Sequence, residues 1–189
     1  AADTSYFKTS GFAVGFGKQL KWPDDYFSLG VTFNYARYKL KNYFIDQVNL
    51  PGFNNGFSNN LSFKFALNRS SVDAPIFPRT GSNFALSLQI TPPYSLIDKS
   101  IVNSSNPYQW IEYHKWMFKG DWYSPMSKNR NLILHTKFEY GFLGFYDKNR
   151  MSPFEGFRVG GSGMSGYNLY GSDIVSLRGY KDYSLSPNT

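Results

Sequence analysis

Apolar residues recur at every second position along most of this chain. Phe12, Val14 and Phe16 alternate with Gly11, Ala13, Gly15 and Gly17. Phe27, Leu29, Val31, Phe33 and Tyr35 alternate with small or polar residues up to Ala36, and Leu61, Phe63, Phe65 and Leu67 oppose Asn60, Ser62, Lys64, Ala66 and Asn68. Phe84, Leu86, Leu88 and Ile90 oppose Asn83, Ala85, Ser87 and Gln89, and Leu132, Leu134, Phe138 and Tyr140 oppose Asn131, His135, Lys137 and Glu139. A period of two predicts strands with one apolar and one polar face. The segment "QWIEYHKWMFKGDWY" is a sixth candidate with a less regular alternation. These strands are long for a soluble sheet.

Two architectures use such strands: a soluble sandwich buries the apolar face, whereas a membrane barrel turns it outward to lipid. Three features favour the barrel. The polar face mixes glycine and alanine with Lys64, His135, Lys137 and Glu139, as a wet lumen allows. Aromatic residues (Trp22, Tyr26, Tyr38, Tyr43, Trp110, Trp122, Tyr123) lie near strand ends, where interfacial girdles sit. Connections alternate between short ("KWPDDY", "SVDAPIFPRTG", "SPMSKNR") and long (41 to 60, 93 to 108, and the tail), the rhythm of periplasmic turns and extracellular loops. Six strands are too few to close a barrel, since small ones need about 8, so a barrel reading requires further strands.

The remaining segment, "GFRVGGSGMSGYNLYGSDIVSLRGYKDYSLSPNT", shows no clear period. Tyr167, Leu169, Tyr170, Ile174, Val175, Leu177 and Tyr180 make it too apolar for a solvated tail, so it is expected to pack against something.

Composition narrows the chemistry. Within 189 residues there are 18 Phe and 15 Tyr, and Lys plus Arg outnumber Asp plus Glu to give a formal charge of +7. Anionic lipid or phosphorylated glycolipid suits that charge. Nucleic acid fits poorly, because the basic residues are scattered singly and no recognition helix or RNA-binding pattern accompanies them. With no cysteine, disulfides and thiolate metal sites are excluded. No run of about 18 apolar residues exists, so no helical membrane span is expected. No signal peptide is visible, although "AADTSYFKTSG" starts in mid-flow.

Candidate catalytic features are sparse. Gly161-Ser-Gly163-Met-Ser-Gly166 matches a dinucleotide-binding pattern but lacks the strand–turn–helix context that gives the pattern meaning. His114 and His135, the only histidines, have no partner at metal-ligand spacing. Glu112 and His114 share one strand face as ordinary polarity, Ser162 and Ser165 lack a nucleophile elbow, and Asp24 and Asp25 follow Pro23 in a turn. The expectation is no enzyme, no cofactor, no metal and no catalytic residue.

Three motifs in compatible order carry a family resemblance. "PIFPRTGSNFALSLQITPPYS" resembles a Phe-Pro-x-x-Gly-Ser periplasmic turn leading into a strand, with Phe77, Pro78 and Gly81 at the key positions. "SPFEGFRVGGSGMSGY" resembles the Pro-Phe-x-x-Phe-x-x-Gly-Gly entry to a sixth extracellular loop, through Phe154, Phe157, Gly160 and Gly161. "SLRGY" resembles that loop's Arg-Gly-aromatic tip, through Arg178, Gly179 and Tyr180. Together they resemble the surface-antigen barrel domain of the BamA family of outer-membrane assembly factors, in a Bacteroidetes-like version.

The resemblance implies an all-β transmembrane antiparallel β-barrel, of which this chain would supply strands six to eleven of sixteen. Residues 1–145 would hold those strands with their turns and loops, and 146–189 the sixth loop folded into the lumen. Periplasmic repeats and the other strands would lie outside the segment. Arg178 would rest on the inner wall against acidic and aromatic residues of later strands, a contact suited to a planar guanidinium. The implied function is energy-independent folding and insertion of β-barrel proteins in the bacterial outer membrane. The implied partners are unfolded outer-membrane proteins, assembly-complex lipoproteins and other accessory subunits, and outer-membrane lipid and lipopolysaccharide. TamA-type factors and two-partner secretion transporters share the loop motif. A passive channel or a soluble glycan-binding sandwich would be readings of other classes.

Overall fold

The structure is a computed structural model that describes residues 5–42, 55–97, 108–147, 152, 154–161, 173–181 and 184–185. Its main body is a six-stranded antiparallel meander in the order β1-β2-β3-β4-β5-β6. The strands are β1 (Tyr6–Gln19), β2 (Phe27–Lys41), β3 (Gly56–Ser70), β4 (Gly81–Ile90), β5 (His114–Pro125) and β6 (Ile133–Gly144). One turn of helix, α1 (Tyr94–Ile97), lies between β4 and β5. A separate parallel pair, β7 (Phe157–Val159) and β8 (Asp173–Val175), forms within the tail. Among the described residues, β1 and β6 are sheet edges, so this sheet is open.

Register sorts the alternating residues into two continuous faces. Phe12 pairs with Tyr35, Val14 with Phe33 and Phe16 with Val31; Phe33 then meets Phe63, and Phe65 meets Leu88. The same row continues through Leu88↔Trp116 and Trp116↔Phe142. Phe12, Val14, Phe16, Trp116, Tyr140 and Phe142 are exposed. Such an array is unstable against water but suited to lipid. Cross-strand ring contacts, Phe12–Tyr35 at 5.8 Å and Phe33–Phe63 at 5.3 Å, bind neighbouring strands along this face.

The opposite face carries the polar and small residues, including Lys64, Lys119, Asp121, His135, Lys137 and Glu139. Here His135 meets Asp121 at 2.8 Å, and Glu139 meets Lys137 at 3.0 Å and Lys119 at 3.8 Å. Apart from Lys64, these charges are paired along the face that sequence patterning assigns to the lumen.

The strand ends joined by the short connections 20–26, 71–80 and 126–132 lie at one end of the sheet, and the strand ends flanking the longer intervals 42–55 and 91–113 lie at the other. In an outer-membrane barrel these are the periplasmic and extracellular ends. Two of the short turns are tied together by Arg69, whose guanidinium donates to Asp24 at 2.9 and 3.0 Å and to Ser71 and Ser82.

Three expectations change. Strands β1 to β3 extend further than the alternation suggested, because at the end away from the short turns β1 and β2 carry charged residues outward and β3 carries small and polar ones (Gly56, Ser58, Asn59) that break the apolar period. Tyr38 is no girdle residue: it points inward and is 5% exposed. Tyr43 lies outside the described residues. The tail, expected to be irregular, contains β7 and β8, which are too short for a period to register. The weak alternation of β5 also has a cause. Gly120 faces outward beneath the Phe138 ring, where an added Cβ would approach that ring to 2.6 Å.

Candidate functional site

Among the described residues, the buried core lies on the inner face near the end opposite the short turns. Tyr38, Leu40, Ile111, Tyr113 and Phe154 form its buried core, flanked by Phe7, Ala36, Tyr108 and Leu143. Phe154 comes from the tail and is 1% exposed. Its ring stacks on Tyr38 at 4.3 Å and tilts against Phe7 at 6.1 Å. The tail therefore docks on the wall through an aromatic plug, with the apolar area removed from water as the driving term.

Beside the plug lies a buried polar centre. The Lys115 ammonium on β5 meets the Glu155 carboxylate at 3.1 Å and the Asp173 carboxylate at 2.6 Å. Lys115 and Glu155 side chains are each only 4% exposed, while Asp173 is 47% exposed. Glu155 also accepts from the Tyr113 hydroxyl at 3.1 Å and from the Asn60 amide at 3.3 Å. Gln89 in turn donates to Tyr113 at 2.6 Å and to Ser62 at 3.0 Å. Burial pushes the Glu155 carboxyl upward, while the Lys115 ammonium and the Tyr113 hydroxyl pull it back. Lys115 of β5 thus binds two tail carboxylates, Glu155 just before β7 and Asp173 of β8, while Asn60 of β3 and Gln89 of β4 join the same centre through Glu155 and Tyr113.

Glycine supplies the remaining fit. Phe157 lies over Gly141, where an added Cβ would come within 2.7 Å of the ring, and Lys115 stands 5.2 Å from the centre of the same ring. Gly160 has φ +119°, and an added Cβ would collide with the Lys181 carbonyl oxygen. Gly161 donates its N–H to the Tyr180 carbonyl at 3.1 Å and accepts the Leu177 N–H at 3.1 Å. The loop entry is thereby bonded to the backbone beside Arg178. Arg178 and Gly179 are exposed, Gly179 has φ +92°, and Tyr180 is 52% exposed. No ion pair to Arg178 forms among the described residues.

Sequence-singled residues thus fall into two groups. Phe154, Phe157, Gly160, Gly161 and the Arg178–Tyr180 tip are brought together in the docked tail. Gly81 opens β4, and Phe77 and Pro78 lie in the short 71–80 connection. There Asp73 accepts the N–H groups of Arg79 at 2.9 Å and Thr80 at 3.2 Å, hydrogen bonds that hold its carboxyl below the ordinary value. Phe77 adopts φ +55° and is 88% exposed. Of the Gly161–Gly166 pattern, only Gly161 is described. Glu112 is not surface polarity, because it is fully buried and accepts from the Ser95 N–H and hydroxyl, each at 2.7 Å. Lys115, Glu155, Asp173, Tyr113 and Asn60 were not singled out by pattern. The one available signal was Glu155 itself, an acidic residue inside the Pro-Phe-x-x-Phe entry.

An outward apolar face, an inner face of paired charges and a tail docked on that inner face belong to one kind of barrel, and comparison with known proteins agrees. The model of the Omp85 superfamily domain matches residues 2–189. The chain belongs to the Omp85 superfamily. Its fold is similar to that of BamA from Haemophilus ducreyi in a structure lacking POTRA domains 1-3, with a TM-score of 0.66 and 20% sequence identity. That match covers 98% of this chain and 32% of the BamA chain, so the sheet corresponds to part of a larger barrel. No curated protein matches it by sequence. The Omp85 chain is therefore a segment of an outer-membrane β-barrel, its apolar face outward and its docked tail inside.

Proposed function

We propose that this chain is the back wall and lumen-folded sixth loop of a BamA-type factor. Such a factor folds and inserts β-barrel proteins into the outer membrane without ATP or cofactor. The observation that carries the reading is the tail docked on the inner wall through Phe154 and the buried Lys115–Glu155 pair. A transport pore benefits from an open lumen, whereas an insertion factor benefits from a rigid wall that keeps strain at a seam elsewhere in the barrel. Unpaired strand edges at such a seam would template a substrate strand, and thinned lipid beside it would lower the barrier to insertion. Unfolded outer-membrane proteins are the substrates in this reading, with assembly lipoproteins as accessory subunits.

The deciding experiment reconstitutes the full-length protein in liposomes and supplies a urea-unfolded β-barrel protein. Faster acquisition of the folded, heat-modifiable form than in empty liposomes is expected. Arg178→Ala should slow it and weaken the barrel's own heat-modifiable migration. Unaccelerated folding together with steady ion conductance would replace the proposal with a passive channel.

A further inference from the structure

Apart from Lys64, the charges named on the inner face are paired, whereas the outer face carries a group of four cations that the described residues leave uncompensated. Register places Lys8 directly opposite Lys39, Ser10 opposite Arg37 and Tyr6 opposite Lys41. Lys8, Arg37, Lys39 and Lys41 are all exposed, whereas Tyr38 and Leu40 between them are buried on the inner side. The four cations therefore project from the outward face at the extracellular end of β1 and β2. Among the described residues no acidic group lies within ion-pair distance of any of them. Like charges directly opposite on a sheet are destabilising, so the Lys8–Lys39 pair works against strand pairing unless an anion lies over it.

Position identifies the anion. Phe12, the first residue of the exposed apolar band on β1, lies four residues below Lys8, roughly 13 Å along the strand. With the usual strand tilt, that places the cations about one headgroup layer above the hydrocarbon. The Arg37 guanidinium lies over the Phe57 ring, 4.8 Å from its centre, which orients the fork and strips part of its hydration. Below it Phe12, Tyr35 and Phe33 form an aromatic slope suited to acyl chains. Cations above apolar rings fit an amphiphile that carries phosphate at its head.

We propose that Lys8, Arg37, Lys39 and Lys41 form a binding site for the phosphorylated glycolipid of the outer leaflet, held by its phosphates with its acyl chains along Phe12, Tyr35 and Phe33. The site rests on the outward orientation of this face in an outer-membrane barrel, and not on the insertion activity. It localises one lipid species on the back wall.

The test uses the full-length protein in mixed detergent micelles with bis-phosphorylated lipid A, dephosphorylated lipid A or phosphatidylglycerol as probe, with bound lipid counted by native mass spectrometry. Bis-phosphorylated lipid A should bind at least about tenfold tighter than the dephosphorylated form. The Lys8→Gln/Arg37→Gln/Lys39→Gln/Lys41→Gln variant should lose that advantage, since each cation near an anionic surface adds a similar increment. The inward-facing control Lys119→Gln/Lys137→Gln should keep it. Equal binding by the outward variant, equal loss in the control, or equal preference for phosphatidylglycerol would each overturn the proposal. Heat-modifiable migration of every variant separates loss of the site from failure of the barrel reading. Lys8→Gln/Lys39→Gln serves as a milder variant if the quadruple change impairs folding.

Discussion

Replacing Lys115 by methionine isolates what the buried lysine does. Methionine fills similar volume but removes the charge, leaving Glu155 4% exposed with no compensating cation at 3.1 Å. A carboxylate in that position either bears its desolvation or takes up a proton. Removing one partner of a buried pair typically costs about 3–5 kcal/mol. Protonation caps the penalty, because a carboxyl with an ordinary value of 4.5 can be neutralised at about pH 7 for roughly 3 kcal/mol, at 1.36 kcal/mol per pH unit. Asp173 is 47% exposed and can turn to water, so it adds little. The sign is definite: burial raises the Glu155 carboxyl, so the docked state holds the proton more tightly than the detached state. The penalty grows as pH rises above the ordinary carboxyl range and shrinks as pH falls toward it.

Docking is read from hydrogen exchange of the Gly160 and Gly161 amides, whose acceptors are the carbonyls of Val175 and Tyr180. In the folded full-length protein, Lys115→Met should reduce their protection about a hundredfold at about pH 7 and about tenfold at about pH 5.5, after correction for intrinsic exchange. Adding Glu155→Gln should restore most of it, because a neutral amide needs no cation. Unchanged protection in Lys115→Met, or a loss that ignores both pH and the second substitution, would refute this account of the anchor.

Phe154→Ala removes the ring stacked on Tyr38 and is expected to weaken tail docking by about 3–5 kcal/mol, the range for truncating a buried phenylalanine; faster limited proteolysis within the tail is the readout, and unaltered cleavage would count against the plug. Gly160→Ala meets both a positive φ and the Lys181 carbonyl, so a loss of about 1–3 kcal/mol is expected, and hydrogen exchange at Gly161 reports it. In the 71–80 turn, the Asp73 carboxyl is held below its ordinary value of 3.8 by the Arg79 and Thr80 amides, so its contribution is present above that value and lost as pH falls through the lowered one. Those two amides should exchange faster in a step below about pH 3.8, and Asp73→Asn should abolish the step; a persisting step would assign the turn's order to other groups.

A two-residue period read along one strand is a local property, and it determined by itself five strands, which of their residues share a face and roughly where the short turns fall, with β5 only a candidate. Short-range physics suffices there, because successive side chains of a pleated strand must point to opposite sides. The same reasoning fails for single polar residues. Lys115 and Lys137 occupy equivalent inward positions and are indistinguishable in pattern, yet one is buried and the other is half exposed. What separates them is a partner 40 residues along the chain, Glu155, delivered by a tail whose strands are too short to announce themselves. Tyr38 was misplaced because the alternation read along the sequence stops at Ala36: the period that turns Phe33 and Tyr35 outward turns Tyr38 inward, and the docking of Phe154 then buries it. The cations on β1 and β2 were visible as residues, but antiparallel register made them neighbours. Local sequence dictates the direction of each side chain; only long-range pairing decides which charges and rings face one another, and whether water or protein covers them.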